Sequence, residues 1–153
     1  MNDSIMKSIR AFSDAFRARD PDEFSFSLFS MFPLCCCEFA SLLLGRYLHE
    51  EHPEIKVNIV IGELKKNAEQ RHIWLKFRGK NIDITAYQFD ESLPAVLITS
   101  RGGWHDQYKI IRNTRFDNHF DVEYWCENKR EIRADYMFLS SKARVSCPNN
   151  ALN

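Results

Sequence analysis

The segment of residues 71–85, RHIWLKFRGKNIDIT, constrains the fold more strongly than any other part of the chain. Two runs in which apolar and polar residues alternate stand on either side of Arg78 and Gly79. A glycine at the second loop position suits a two-residue hairpin turn. With that loop Phe77 pairs with Lys80, and this one pair fixes every other pair of the hairpin. The sequence therefore predicts an antiparallel β-hairpin of defined register.

The register of this hairpin also decides which side chains share a face, because successive side chains of a strand point to opposite faces. One face carries an apolar set that belongs against a core: Ile73, Leu75, Phe77, Ile82 and Ile84. The other face carries a more polar set: His72, Trp74, Lys76, Asp83 and Thr85. Asp83 is the diagonal neighbour of His72 there, roughly 7 to 8 Å away between backbones. We expect the Asp83 carboxylate to accept the Nδ1 proton of His72 and to fix its tautomer.

Helical patterns flank the predicted sheet on both sides. Apolar residues at spacings of three and four within residues 1–20 predict a docking helix, which we assign to residues 1–23. A second helix is expected from Cys37 to Glu50, and a closing helix at about residues 128–142. The helices therefore come before and after the strands, not between them.

Further strands are indicated by alternating, β-branched segments. One runs from residues 56–61 and is expected to stop at Gly62, and another covers residues 94–99. Residues 108–111 and 121–125 are weaker candidates. The predicted fold class is α+β, with N-terminal helices packed on an antiparallel sheet and a C-terminal helix.

The composition indicates one globular domain over residues 1–153, with 44 % hydrophobic and 27 % charged residues. Lys and Arg number 21 and so do Asp and Glu, so no net charge attracts nucleic acid or an anionic membrane. No apolar stretch reaches the roughly 18 residues of a membrane span, and the N-terminal residues are too polar for a signal peptide. We expect a cytoplasmic protein that binds neither nucleic acid nor membranes. The oligomeric state is left open.

The cysteines indicate reduced thiols. The chain has five of them, an odd number, and three are adjacent in sequence: Cys35, Cys36, Cys37, Cys126 and Cys147. A disulfide framework does not use such a pattern. Adjacent cysteines also lack the spaced pairs of a zinc site, so we expect no metal and no other cofactor.

The three adjacent cysteines stand where the second helix is expected to begin. A cysteine at a helix N-terminus is exposed to unpaired backbone N–H groups and to the positive end of the helix dipole, both of which favour a thiolate. A nearby imidazolium adds to this effect and produces a nucleophile at neutral pH. The alternative is that the cysteines are small buried hydrophobic residues.

Two blocks of residues resemble bacterial proteins of the transglutaminase-like, papain-like cysteine peptidase superfamily. The first block is similar to their nucleophile helix: Phe32-Pro33, the cysteines, Ala40-Ser41 and the leucines that follow. The second block is similar to their histidine and aspartate strands: His72-Ile73-Trp74, Ile82-Asp83-Ile84-Thr85 and Gln88-Phe89. The resemblance covers residues 32–89 and implies a papain-like or transglutaminase-like core with a Cys-His-Asp site.

The resemblance implies that Cys37 is the nucleophile. If the Phe-Pro pair anchors the alignment, Cys37 stands three residues before Ala40, and Cys35 replaces a glycine that members commonly have. An alignment with alanine four residues after the nucleophile selects Cys36 instead. Helical periodicity does not choose between these two thiols, so Cys36 stays an alternative.

The predicted function is thiol-dependent acyl transfer on an amide of a protein or peptide substrate, either a peptide bond or a glutamine side chain. Cys37 attacks the carbonyl carbon, His72 transfers the proton and Asp83 orients His72. Peptidase, deamidase and transglutaminase chemistry are not distinguished. The alternative, suggested by the missing glycine and the many aromatic residues, is a catalytically inactive papain-like module that binds proteins.

One further pair of residues is open to two interpretations. Trp104 and His105 follow the flexible residues 101–103, Arg-Gly-Gly. They either line the same cleft as His72 or anchor a loop. We favour the loop anchor, because nothing in the sequence ties them to the hairpin.

Overall fold

The computed structural model describes residues 1–116 and 127–147, and within these the fold is α+β. The helices are α1, Asp3–Ala18, α2, Cys37–Glu51, and α3, Lys129–Ser146. None of them combines the length and the hydropathy that crossing a bilayer requires. The predicted order of helices, sheet and closing helix is confirmed.

The strands form one antiparallel sheet in the order β4-β3-β2-β1-β5. Their bounds are β1 Asn58–Leu64, β2 Asn67–Phe77, β3 Lys80–Asp83, β4 Leu97–Thr99 and β5 Tyr108–Arg115. Short 3-10 turns occupy Pro21–Glu23, Ser27–Met31, Ala86–Gln88 and Trp104–Gln107. His72 on β2 and Asp83 on β3, two residues of the site described below, therefore lie on neighbouring strands of this sheet.

The hairpin register deduced from the sequence is confirmed. Phe77 pairs with Lys80, and Leu75 pairs with Ile82. Arg78 and Gly79 have φ values of 47° and 75°, the left-handed conformation that a type I′ turn needs at both central residues. Alternation along β2 and β3 therefore places side chains on the two faces as the sequence indicates.

Strand β1 does not stop at Gly62, as the sequence suggests, but continues to Leu64. A Cβ atom at Gly62 would approach the Trp74 ring to 2.7 Å and the Cβ of Tyr108 to 2.8 Å. The glycine therefore allows two aromatic side chains to lie close over the strand, a common role of glycine within strands.

Several other predicted boundaries are wrong. Helix α1 ends at Ala18, well short of the 1–23 assignment, and α3 continues past residue 142 to Ser146. The strand predicted at 94–99 forms only over Leu97–Thr99, whereas the weak candidate at 108–111 extends to Arg115. The candidate at 121–125 lies outside the described residues.

The two faces of the sheet carry different clusters. The larger cluster lies under the helices and includes four hairpin residues from the predicted apolar face: Leu75, Phe77, Ile82 and Ile84, all buried. Ile73 from the same face is only partly buried against it. A smaller cluster of Val60, Trp74 and Tyr108 lies apart from the helix-covered core. His72 and Asp83 share the face of this smaller cluster.

A buried ion pair fixes α3 to the end of α1. Asp135 is fully buried and accepts a hydrogen bond of 3.1 Å from Arg19 Nη1. Its carboxylate also accepts bonds of 2.9 and 2.8 Å from the backbone N–H groups of Ser25 and Phe26. The guanidinium of Arg19 lies 3.9 Å from the ring centroid of Phe138, so the cation is covered by an aromatic face as well.

Candidate active site

The three adjacent cysteines occupy three different environments at the start of α2. Cys35 is exposed, Cys36 is buried and Cys37 is partly buried. Cys35 has a φ of 58°, a left-handed conformation that favours glycine, which is the residue that the resemblance expects there. Cys37 is the first helical residue, and Cys36 is the residue that precedes the helix.

Cys36 is not suited to act as a nucleophile. Its thiol donates a hydrogen bond of 3.2 Å to the carbonyl oxygen of Leu28. Burial, together with the charges of Cys35 and Cys37, raises the pKa of Cys36 to about 12. It therefore stays a thiol at neutral pH and serves as a small buried hydrophobic residue.

His72 and Asp83 form a direct hydrogen bond, as their diagonal placement predicts. His72 Nε2 lies 2.6 Å from Asp83 Oδ2, and the two residues are 0 % and 1 % exposed. The predicted use of Nδ1 is wrong, because Nε2 is the atom that bonds. Nε2 is the ring nitrogen farther from the backbone, so it is the one that a short aspartate side chain reaches across a diagonal.

Asp83 accepts four hydrogen bonds. Oδ1 accepts from the Thr85 backbone N–H at 2.8 Å and from its hydroxyl at 3.1 Å. Oδ2 accepts from His72 and also from His105 Nε2 at 3.0 Å. Burial alone would raise the pKa of Asp83, but the charge of His72 and these hydrogen bonds outweigh burial and hold the pKa well below its usual range. Asp83 is therefore a carboxylate at neutral pH.

His72 is an imidazolium at neutral pH for the complementary reason. Burial alone would lower its pKa, but the charge and hydrogen bond of Asp83, with a further contribution from Cys37, raise the pKa of His72 to about 9. Nε2 is engaged with Asp83, and the buried Nδ1 makes no hydrogen bond of standard geometry to the described residues. Nδ1 is thus the nitrogen left for the Cys37 thiol.

Aromatic rings surround the His72 imidazole. The centroids of the Phe89, Trp74, Tyr108 and Trp104 rings lie 4.9, 5.7, 5.7 and 6.0 Å from that of His72. Phe89 is 39 % exposed and stacks with Trp104, so these two rings form the outer cover of the imidazole. The cover excludes water from the ion pair, which strengthens its electrostatic attraction.

His105 belongs to the site, although we favoured a loop anchor for it from the sequence. The 3-10 turn Trp104–Gln107 brings its imidazole to Asp83, where it is 3 % exposed. The glycines of residues 101–103, followed by an aromatic residue and a histidine, are the sequence signal that pointed toward the cleft. That signal did not identify Asp83 as the partner of His105, because the turn after β4 comes close to Asp83 only in the folded chain.

His72, Asp83 and His105 are also the described residues that could hold a metal ion, since their ligand atoms lie within 4.8 Å of one another. The O···N separations of 2.6 and 3.0 Å are those of hydrogen bonds. A tetrahedral ion with bonds of about 2.0–2.1 Å requires ligand atoms roughly 3.3 Å apart. The three side chains thus form hydrogen bonds with one another at distances shorter than that spacing.

Comparison of the chain with protein-family models, with curated proteins and with solved structures finds no match. The resemblance to the transglutaminase-like superfamily therefore rests on the residues quoted for it and stays a prediction. The contacts of Cys37, His72 and Asp83 are independent of that resemblance, because they are features of the structure itself.

Proposed function

We propose that this chain is a thiol-dependent acyl-transfer enzyme that acts on an amide through Cys37, His72 and Asp83. One observation carries the proposal: a partly buried thiol at the first residue of α2 adjoins an imidazole that is ion-paired with a buried carboxylate. This arrangement supplies an activated nucleophile, a proton carrier and the group that orients the carrier.

The contrast among the three thiols supports Cys37 as the nucleophile. Its hydrogen bond and its charge both contribute to the raised pKa of His72. Cys36 is held as a buried thiol, and the backbone N–H of Cys35 is bonded to the side chain of Gln88 at 3.2 Å. A thiolate at Cys37 gains from both the imidazolium and the positive end of the α2 dipole.

In the first step the sulfur of Cys37 attacks the carbonyl carbon of the amide, and the π electrons move to the carbonyl oxygen. When this intermediate collapses, the C–N bond breaks and the proton on His72 Nδ1 passes to the leaving nitrogen. The products are a thioester on Cys37 and a free amine or ammonia. Asp83 holds the His72 ring through Nε2 while Nδ1 gives up the proton.

In the second step a water molecule or an amine attacks the thioester, and His72 Nδ1 takes a proton from it. The C–S bond breaks, which releases a carboxylic acid if water attacks and a new amide if an amine attacks. The backbone N–H of Cys37, in the first turn of α2, has no partner within the helix and is a candidate donor to the oxyanion.

The order of the elements, the amide chemistry and the free cysteines also support the predictions of a papain-like core, a protein or peptide substrate and a cytoplasmic location. The order of nucleophile helix, histidine strand and aspartate strand favours a papain-like core, and amide chemistry favours a protein or peptide substrate. The described cysteines are all free thiols, which favours a reducing compartment such as the cytoplasm.

A second candidate function is a non-catalytic interaction module with the same fold. The observation in its favour is the Cys35 side chain, which occupies the left-handed position where the resemblance expects glycine. That side chain crowds the approach of a substrate backbone to Cys37. This candidate expects slow, unactivated thiols and a stable protein complex that does not depend on Cys37.

The test compares Cys37→Ser with the matched variant Cys36→Ser. Each protein is incubated with iodoacetamide at pH 6.5, and with glutamine-containing peptides whose released ammonia and new N-termini are measured. We expect wild type and Cys36→Ser to be alkylated rapidly and to turn over peptide, and Cys37→Ser to do neither. Equal alkylation of wild type and Cys37→Ser would contradict the assignment of the nucleophile. Rapid alkylation of Cys37 without turnover of any peptide would favour the interaction module.

A further inference from the structure

A chain of hydrogen bonds leads from Trp74 to Asp83 through β3, β4 and the turn that follows. Trp74 Nε1 donates to Asn81 Oδ1 at 3.0 Å, and Asn81 Nδ2 donates to Thr99 Oγ1 at 3.0 Å. Thr99 Oγ1 lies 2.7 Å from His105 Nδ1, and His105 Nε2 lies 3.0 Å from Asp83 Oδ2. All members except Thr99, which is partly exposed, are buried.

The two ends of this chain dictate the direction of every bond except the one between Thr99 and His105, which depends on whether His105 is neutral. An indole N–H only donates, so Asn81 must present its oxygen to Trp74 and its amide N–H to Thr99. A carboxylate only accepts, so His105 must carry a proton on Nε2. The Thr99 hydroxyl, which already accepts from Asn81, then has its own proton free to donate to Nδ1 of a neutral His105.

Charge balance supports a neutral His105. The imidazole rings of His72 and His105 are stacked with centroids 6.5 Å apart, and both bond to the same oxygen of Asp83. One buried carboxylate balances one buried imidazolium, and a second cation beside the first would be repelled without a partner. His72 is the charged member, so the donor from His105 is a neutral N–H.

We propose that His105 is a positioning residue of this site, a neutral Nε2–H donor that fixes Asp83 Oδ2 against His72 and is itself held in that tautomer by Thr99. Its role in acyl transfer rests on the proposed function. The chain of hydrogen bonds from Trp74 to Asp83, which we call the relay, does not. With Nε2–H bonds from both histidines to one oxygen, the Asp83 carboxylate cannot turn away from His72. The proton that moves in catalysis is then confined to His72 Nδ1.

The tautomer can be read directly in the wild-type protein by long-range ¹H–¹⁵N correlation spectra of ¹⁵N-histidine-labelled protein at pH 7. We expect His105 to show a protonated Nε2 and an unprotonated Nδ1. A protonated Nδ1 on His105 would overturn the proposal. So would one equivalent of zinc in the purified protein that shifts the resonances of both histidines, since Nε2 would then be a ligand and not a donor.

Substitutions at Thr99 test the role of the relay without removing His105. Thr99→Val removes the hydroxyl proton, and Thr99→Ser retains it. Ser100→Ala removes a neighbouring hydroxyl, whose partner among the described residues is Lys80 on the surface. We expect His105 in Thr99→Val to lose its single tautomer, and Cys37 alkylation by iodoacetamide at pH 7 to slow about three- to tenfold. Thr99→Ser and Ser100→Ala should match wild type in both measurements.

These measurements separate the relay from the proposed function. Neither needs a substrate, so an enzyme that turns over no amide could still show the His105 tautomer and the Thr99 effect. If Thr99→Val leaves both the His105 spectrum and the alkylation rate at wild-type values, His105 is only a structural residue. In that case rapid alkylation of Cys37 would still support the nucleophile.

Discussion

Two aspartates, Asp135 and Asp83, are buried, and each carboxylate is stabilised by a different set of charged and hydrogen-bonding partners. Each is at most 1 % exposed and has both carboxylate oxygens hydrogen-bonded. Asp135 is paired with Arg19 and two backbone N–H groups. Asp83 is paired with His72 and His105, and with the backbone and hydroxyl of the threonine two residues later.

The difference lies in whether the partner can change its charge. A guanidinium is always protonated in proteins, so the ion pair of Asp135 is permanent and serves to join α3 to α1. An imidazole gains and loses a proton near neutral pH, so the pair of Asp83 can take part in proton transfer. The two buried carboxylates therefore differ in whether their side-chain partner can exchange a proton near neutral pH.

The largest expected effect is on stability at Asp135. Asp135→Ala leaves the guanidinium of Arg19 buried without its counter-ion, which should lower the free energy of unfolding by about 3–5 kcal/mol. Urea unfolding followed by circular dichroism measures the loss. In the protein that remains folded, Cys37 should still be alkylated at the wild-type rate. A loss below about 1 kcal/mol would mean that Asp135 does not join the helices as described.

The next effect is a pH dependence of stability that belongs to His72. Its pKa is raised to about 9 in the folded protein, against about 6.5 when unfolded, so its stabilisation is complete below pH 6.5 and is lost as the pH rises through 9. We expect the difference in unfolding free energy between wild type and His72→Gln to shrink by roughly 1–3 kcal/mol from pH 6 to pH 9.5.

Comparison with His72→Gln is needed because Cys36, whose pKa is raised to about 12, also loses stabilisation as the pH rises. That contribution is common to both proteins and cancels in the difference. A difference that stays constant or grows toward pH 9.5 would contradict the imidazolium at His72.

The smallest effect compares one substitution at both aspartates. Asp83→Asn removes the charge that holds the His72 imidazolium, so the sulfur of Cys37 loses a neighbouring cation and its alkylation at pH 6.5 should slow about tenfold. Asp135→Asn is the matched control and should leave the alkylation rate of the folded protein unchanged. Equal slowing in both variants would show that reactivity follows stability rather than the charge of Asp83.

The sequence predicted the parts of this site that depend on local geometry. Arg78-Gly79 fixed the hairpin register, and the register alone brought His72 and Asp83 to one face and within reach. The start of α2 at Cys37 was also predicted, because the apolar stripe of that helix is regular. In both cases the signal lies within about fifteen residues, where backbone periodicity determines direction.

Other features escaped the sequence because they depend on distant contacts. The sequence could not choose between Cys36 and Cys37 as the nucleophile. The structure distinguishes them, because the thiol of Cys36 is bonded to the carbonyl of Leu28 and Cys37 lies beside His72. The sequence predicts a strand end at Gly62, whereas in the structure this glycine makes room within β1 for the rings of Trp74 and Tyr108. Both are effects of side-chain packing between distant segments, which the periodicity of apolar residues along the sequence does not predict.

Periodicity and turn chemistry by themselves determined the α+β class, the hairpin, and the pairing of His72 with Asp83, because each follows from the direction of side chains along one short segment. Only the tertiary structure decided which cysteine adjoins His72, and that His105 completes the carboxylate's hydrogen bonds. Those outcomes depend on how a helix start and a turn after β4 approach the hairpin in space. Because a buried charged group is stable only when it is paired, the buried carboxylate of Asp83 and the buried imidazole of His72 stabilise each other as an ion pair.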